Sequence, residues 1–214
     1  MGGAATGPSR SLEVERKYDV DVDAQIPDFL TLPGVATVSG AEARDLDARY
    51  LDTDDHRLAH AGVAVRRRTG GPDAGWHIKI SAPEGKHEWG WPLDDRPDEN
   101  ADVVVPDAVI DALSQWAAPP FRPLARIRNA RTAYTLCDAT GTVVAEFVDD
   151  HVTATDERTG AESSWREWEL ELGPAAPEDE PGRQALFGEA DRVVSAAGGR
   201  ISASGSKLAR ALGQ

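Results

Sequence analysis

The sequence has little sulfur chemistry and a shortage of positive charge. Cys137 is its only cysteine, which excludes an intrachain disulfide and a thiolate metal cluster. Lysine and arginine number 23 against 37 aspartates and glutamates, for a formal net charge of −14. A field of that sign repels polyanions at long range, which argues against a general nucleic-acid or anionic-membrane binder. Any phosphate site must then be a local basic cluster inside an acidic shell. No apolar run approaches membrane-spanning length, and the opening "MGGAATGPSR" lacks the apolar stretch of a signal peptide. These absences predict a cytoplasmic protein with no nucleic-acid or membrane partner. They also predict a disordered segment over residues 1–10, followed by a single domain over 11–214.

What is present is a chain of 214 residues, 40% hydrophobic, enough to build one large core. Period-two alternation predicts strands near 11–20, 46–52, 61–69, 75–81, 86–92, 124–136, 142–152 and 163–172. Turn residues separate many of them, as in "TGGPDAG" at 69–75 and "DATG" at 138–141. Helices are expected at 106–117, 183–197 and 204–212, with another in 24–32, while "RPDENADVVVP" and "GPAAPEDEPG" read as loops. Many antiparallel strands with few helices predict a mainly β, α+β fold: an eight-stranded antiparallel closed barrel, with helices packed outside.

Alternation also sorts the charges. "SLEVERKYDV" puts Glu13, Glu15 and Lys17 on one face. Arg66 and Arg68 share a face in "VAVRRR", Lys79 shares one with His77 in "WHIKI", and Lys86 one with Glu88 in "KHEWGW". Glu146 and Asp150 oppose Phe147, and Glu167, Glu169 and Glu171 oppose Trp168, Leu170 and Leu172. Each such face alone reads as wet outer surface. Together they form matched sets, acidic on the first and last strands and basic between, while the opposite faces are rich in Trp, Val, Ile and Leu. A hydrated barrel with its charges inside accounts for both facts. Carboxylates there can hold a divalent cation, and Arg and Lys can hold a polyanion.

"EVERK" resembles the ExExK signature of the CYTH domain, or triphosphate tunnel metalloenzyme, family. The stretch "YLDTDDHRLAHAGVAVRRRTGGPDAGWHIKI" is similar to the family's second block, "AEFVDDHV" and "REWELEL" to its later acidic strands, and "SGSKLARAL" to its closing element. The resemblance implies an eight-stranded tunnel with a charged interior, acting on triphosphates with Mg²⁺ or Mn²⁺. It implies catalytic roles for Glu13, Glu15, Lys17 and Glu169, with metal ligation by Glu13, Glu15, Glu146, Asp150, Glu167 and Glu169. Substrate phosphates would meet Lys17, Arg66, Arg68, Lys79, Lys86, Arg131 and Lys207. Two positions depart from the family pattern: Lys86 stands where arginine is more usual, and Asn129 where a lysine is usual. Simple alternation puts Arg126 and Arg128 on the face opposite Arg131, so which residues of that strand face inward is open.

The expected function is metal-dependent hydrolysis of a triphosphate-containing small molecule, foremost inorganic tripolyphosphate to pyrophosphate and phosphate, by a monomer or homodimer. Alternatives are hydrolysis of an organic triphosphate, adenylyl cyclisation, or binding of polyphosphate or a nucleotide without catalysis. No residues identify a base-reading pocket, which favours the inorganic substrate. His56, His60, His77, His87 and His151 lack metal-ligand spacing and read as surface or packing residues.

Overall fold

The chain was analysed as a computed structural model, which describes residues 7–93 and 103–214. Eleven strands and four helices lie among them. The strands are β1 (Ser9–Glu13), β2 (Glu15–Asp19), β3 (Thr37–Val38), β4 (Glu42–Asp52), β5 (Val63–Thr69), β6 (Gly75–Ala82), β7 (Gly85–Pro92), β8 (Arg122–Cys137), β9 (Val143–Asp156), β10 (Glu162–Leu172) and β11 (Arg200–Ile201). The helices are α1 (Arg57–His60), α2 (Asp107–Leu113), α3 (Glu180–Ala196) and α4 (Lys207–Ala211). The fold is mainly β, α+β and antiparallel, as the alternation predicts.

Four expectations need correction. The strand expected over 11–20 is broken at Val14: β1 pairs with β7, and β2 with β10. Ser9 and Arg10, expected to be disordered, pair with Gly90 and Trp89. Segment 24–32 is not helical; Pro27 has no N–H to donate, and Phe29 and Leu32 are buried side chains anchoring an irregular loop. The acidic stretch 173–182, read as loop, ends inside α3. There Asp179 caps the helix by accepting from the Gly182 N–H at 2.8 Å, and Pro181 sits in the first turn. Most of the loop predicted at 96–106 lies outside the described residues.

The chain divides into two compact units. Among the described residues the first comprises 7–13, 46–93, 103–128 and 154–162. In it β7, β6 and β5 follow one another as antiparallel neighbours, with β1 beside β7 and residues 47–51 of β4 beside β5. Val63 and Val65 of β5 and Trp76 and Ile78 of β6 turn one way. They bury against Leu58 of α1 and Val109 and Leu113 of α2. Arg66, His77 and Lys79 are thereby left on the other side of these strands. At the β6–β7 turn, Gly85 has φ +149°, and a Cβ there would collide with the Glu13 carbonyl; glycine is what lets β1 lie so close.

The second unit comprises residues 14–45, 129–153 and 163–214. β10 pairs with β2, β2 also with β11, and β3 with β8. Tyr18, Phe147, Trp168 and Leu170 bury with Leu186, Phe187, Ala190 and Val194 of α3. The Phe147 and Trp168 rings meet edge-on with centroids 5.7 Å apart, and the indole N–H of Trp168 donates to Asp149 at 3.0 Å. Asp149 in turn accepts from Arg166, whose guanidinium also caps the carbonyls of Asp21, Val22 and Ala24. This outer network fixes the register of β10, and with it the residues that alternate onto its inner face. Trp168→Ala is expected to cost about 3–5 kcal/mol, read from urea unfolding. Trp168→Phe, which loses only the N–H donor and part of the ring, should cost about half that or less.

Candidate active site

In the second unit, the face of β2 and β10 opposite the core carries the charges. Register places Glu169 across from Lys17, Glu171 across from Glu15 and Glu167 across from Asp19. β9 adds Asp150, β8 adds Arg131, and the first residue of α4 is Lys207. This face is not wet. The side chains of Asp150, Glu167 and Glu169 are 0%, 4% and 10% exposed, and those of Lys17 and Lys207 only 12% and 13%. Burying so much charge is tolerable only where the groups neutralise one another.

They do so around one ammonium. Lys207 Nζ lies 2.8 Å from Asp150, 2.6 Å from Glu167 and 2.6 Å from Glu169. Lys17 pairs with Glu169 and lies 3.3 Å from Glu15. Arg131 grips Asp150 through two bonds of 2.8 and 2.7 Å and reaches Glu169 at 3.1 Å. Burial opposes ionisation of Asp150, yet Lys207 and Arg131 outweigh it and hold the carboxyl well below the usual range. Burial likewise opposes the charge on Lys207, and Asp150 and Glu167 outweigh it in the other direction.

Oxygens of Asp150, Glu167 and Glu169 all lie within 4.8 Å of one another. An all-carboxylate donor set suits a hard divalent cation such as Mg²⁺ or Mn²⁺. Glu167 Oε1 is buried and has only an ion-pair contact with Lys207, without hydrogen-bond alignment. A donor oxygen is thus held in place without a hydrogen bond of its own, and the residues fit a cation. Of the six expected metal ligands, these three come together. Glu15 stays near Lys17. Glu146 is bound through both oxygens by Arg44, at 3.1 Å each, and stands apart from the trio. Glu13 belongs to the first unit.

In that first unit, β5, β6 and β7 present a second charged face. Arg66 donates to the Tyr50 hydroxyl at 3.2 Å and lies 3.6 Å from Glu88. Lys79 lies 2.9 Å from Glu88 and donates to both Glu13 oxygens, at 2.8 and 2.6 Å. Arg68 pairs with Asp73 of the 69–75 turn. Lys86 stands opposite Glu13 in the β1–β7 register. Burial opposes the charge on Glu88, but His77, Lys79 and Arg66 hold its carboxyl far below the ordinary value. The question left open on β8 resolves by alternation. Arg126 binds Asp47 at 2.5 Å, Arg128 approaches the same carboxylate at 3.8 Å, and Asn129 and Arg131 face the other way. Asn129 is buried with its carbonyl oxygen unpaired.

Sequence reasoning missed several groups here. Trp165 donates its indole N–H to Glu167, and Arg210 lies over its ring at 4.8 Å. Alternation with Glu167 and Glu169 would have found Trp165. His77, expected as a surface or packing residue, lies among the cations, and Asp73 sits in what reads as a plain glycine turn.

Because Asp150 and Glu88 have depressed values in the folded chain, each adds stability above the usual carboxylate range. That stability is lost as pH falls through the folded values. In metal-free buffer, Tm is expected to drop from about pH 5 to about pH 2, and the drop should be smaller in Asp150→Asn.

One unit thus carries a buried carboxylate trio that could hold a metal ion, and the other carries Arg66, Arg68 and Lys79 on one face of β5 and β6. The family model "CYTH domain" matches residues 11–187, and the chain belongs to that family. It is 38% identical over 221 residues to the uncharacterized protein Rv2226 of Mycobacterium tuberculosis, covering 98% of this chain but 42% of that protein. The chain thus spans less than half the length of that relative. Among solved structures, a candidate adenylate cyclase from Bacillus halodurans aligns with TM-score 0.60 at 18% identity, over 94% of this chain and 97% of the other. A candidate adenylyl cyclase from Hippeastrum with a dominant triphosphatase activity aligns with TM-score 0.57 at 17% identity, over 94% and 96%. These two likenesses bear on the fold. Among the described residues, no helix is long and apolar enough to cross a membrane.

Proposed function

We propose that this chain is a metal-dependent triphosphatase that hydrolyses inorganic tripolyphosphate to pyrophosphate and phosphate, with its charged faces lining a closed eight-stranded tunnel. The observation that carries the reading is the buried trio Asp150, Glu167 and Glu169, paired with Lys207, Lys17 and Arg131. A module that only bound polyphosphate would gain nothing from burying three carboxylates beside a polyanion, since they repel it. A cation between them reverses that balance. Asp150, Glu167 and Glu169 would hold Mg²⁺ or Mn²⁺, with Glu13 and Glu15 as the further carboxylates of the set. A bound divalent ion supplies Lewis-acid stabilisation of charge on phosphate oxygens.

The protein's own groups do the rest. Arg66, Arg68, Lys79 and Lys86 position the phosphoryl chain, the arginines through forked contacts and the lysines as point charges. Lys17, Arg131 and Lys207 exchange their carboxylate partners for phosphate oxygens and stabilise charge on the terminal phosphoryl group. Lys17 also orients the attacking water. Among the described residues neither cluster includes a serine or cysteine nucleophile, and transfer goes directly to water.

The Hippeastrum relative's triphosphatase activity favours hydrolysis over cyclisation. Organic triphosphates and adenylyl cyclisation are the competing outcomes. A substrate panel of tripolyphosphate, ATP and thiamine triphosphate, assayed for phosphate, pyrophosphate and cyclic AMP with Mg²⁺ or Mn²⁺, tests the proposal. Tripolyphosphate is expected to turn over fastest; exclusive formation of cyclic AMP from ATP would overturn it.

A further inference from the structure

His77 is a buried ionisable group for which the proposed reaction has no role. It is 4% exposed. It stands opposite Arg66 on β5 and Gly90 on β7, on the face that carries Lys79. A Cβ on Gly90 would come within 2.7 Å of the Ser9 hydroxyl, so glycine at this position lets Ser9 of β1 lie close beside β7.

Both ring nitrogens of His77 face acceptors. Nε2 is 2.9 Å from the Asp73 carbonyl. A carbonyl oxygen only accepts, so Nε2 carries a proton and donates it. Nδ1 is 3.0 Å from Glu88 Oε1, a carboxylate that its neighbours keep ionised. In the singly protonated ring Nδ1 points its lone pair at a negative oxygen, and with a second proton it donates to Glu88 across the same 3.0 Å.

The two groups that His77 touches also contact the cations, alongside Glu13 at Lys79 and Tyr50 at Arg66. Asp73 is the partner of Arg68, and its carbonyl lies 3.5 Å from Arg68 Nη2. Glu88 is the partner of Lys79 and Arg66. The imidazole thus ties the 69–75 turn to β7 and sets where three cationic heads point. The charged groups around it are Arg66 and Arg68 from β5, Lys79 on its own strand, Glu88 from β7 and Asp73 from the turn. Burial and the two arginines oppose a second proton, and Glu88 favours it. A polyanion lying on Arg66 and Arg68 would cancel the opposition from those two charges.

We propose that His77 is a positioning residue for Arg66, Arg68 and Lys79, and that it takes up a proton from solvent when a polyphosphate occupies those cations. The proposal rests on the phosphate-binding reading of this face. Calorimetric titration of the intact chain with the bis-methylene analogue of tripolyphosphate, which is not hydrolysed, tests it, with Mg²⁺ present and in two buffers of different ionisation heat, for wild type and His77→Gln. The difference between the two proteins removes the ligand's own titration. Near neutral pH, wild type is expected to take up more protons per ligand than His77→Gln, by up to about one. The variant is expected to bind about tenfold more weakly.

Equal proton uptake with equal affinity would overturn the proposal. Should the variant not fold, ¹⁵N shifts of the His77 ring in wild type give the same answer. They should move toward the imidazolium pattern when the analogue is added, and unchanged shifts in the bound state would overturn the assignment. Absence of any binding by wild type would instead overturn the phosphate reading itself, and this proposal with it.

Discussion

Glu169→Ala is expected to lower metal-dependent release of phosphate from tripolyphosphate by about a thousandfold or more. Glu169 is the carboxylate on which the second unit's charges converge: Lys17, Arg131 and Lys207 all contact it, and it belongs to the metal-competent trio. Its loss removes one oxygen donor and leaves three buried cations short of a counter-charge. The second effect costs stability, because uncompensated buried charge is expensive. Glu169→Gln keeps the side-chain volume and separates the two contributions. Its activity should still fall by about a hundredfold or more, and its affinity for Mn²⁺, read by electron paramagnetic resonance on the chain without substrate, should fall as well. Full activity in either variant would refute the assignment of Glu169.

The second large effect is expected on the first unit. Replacing Arg66 and Arg68 together by alanine should raise KM for tripolyphosphate by about a hundredfold, with a smaller change in kcat. Arg68 is buried and pairs with Asp73, and Arg66, its side chain 12% exposed, donates to the Tyr50 hydroxyl and lies 3.6 Å from Glu88. Such arginines are already oriented before a ligand arrives, so little side-chain entropy remains to be lost on binding. Arg68→Lys isolates the fork: it keeps the charge but loses bidentate geometry, and should raise KM by about tenfold. An unchanged KM in the double variant would remove these residues from the phosphate site.

Much of this was legible in the sequence for one physical reason. Side-chain direction alternates along a strand whatever its partner, so alternation alone put Glu167 and Glu169 on one face and Trp168 and Leu170 on the other. The same rule placed Arg66 and Arg68 away from Val63 and Val65, and left Arg126 and Arg128 opposite Arg131, where the structure has them. It could not show the break at Val14, because both halves of 11–20 keep the period. Only the identity of the pairing partners, β7 for β1 and β10 for β2, reveals the change.

Ion-pair choice was equally hidden. Glu146 and Asp150 share a face in sequence, yet Arg44 takes the first while Arg131 and Lys207 take the second. Arg44 lies 102 residues from Glu146. The helix expected at 24–32 does not form: Pro27 has no N–H to donate, which breaks the ladder there. His77 reads as a surface or packing residue in the sequence because it lacks metal-ligand spacing. What distinguishes it, an acceptor at each ring nitrogen, exists only in the folded chain.

The proposed reaction requires the buried carboxylates and the cations to work on one molecule. The most direct measurement is single-turnover hydrolysis of tripolyphosphate by the purified chain, following phosphate and pyrophosphate together, with Mg²⁺ or Mn²⁺ and then with EDTA. The account predicts equal amounts of the two products with either metal, and none with EDTA. Tight binding of tripolyphosphate without any product, whichever metal is present, would contradict it.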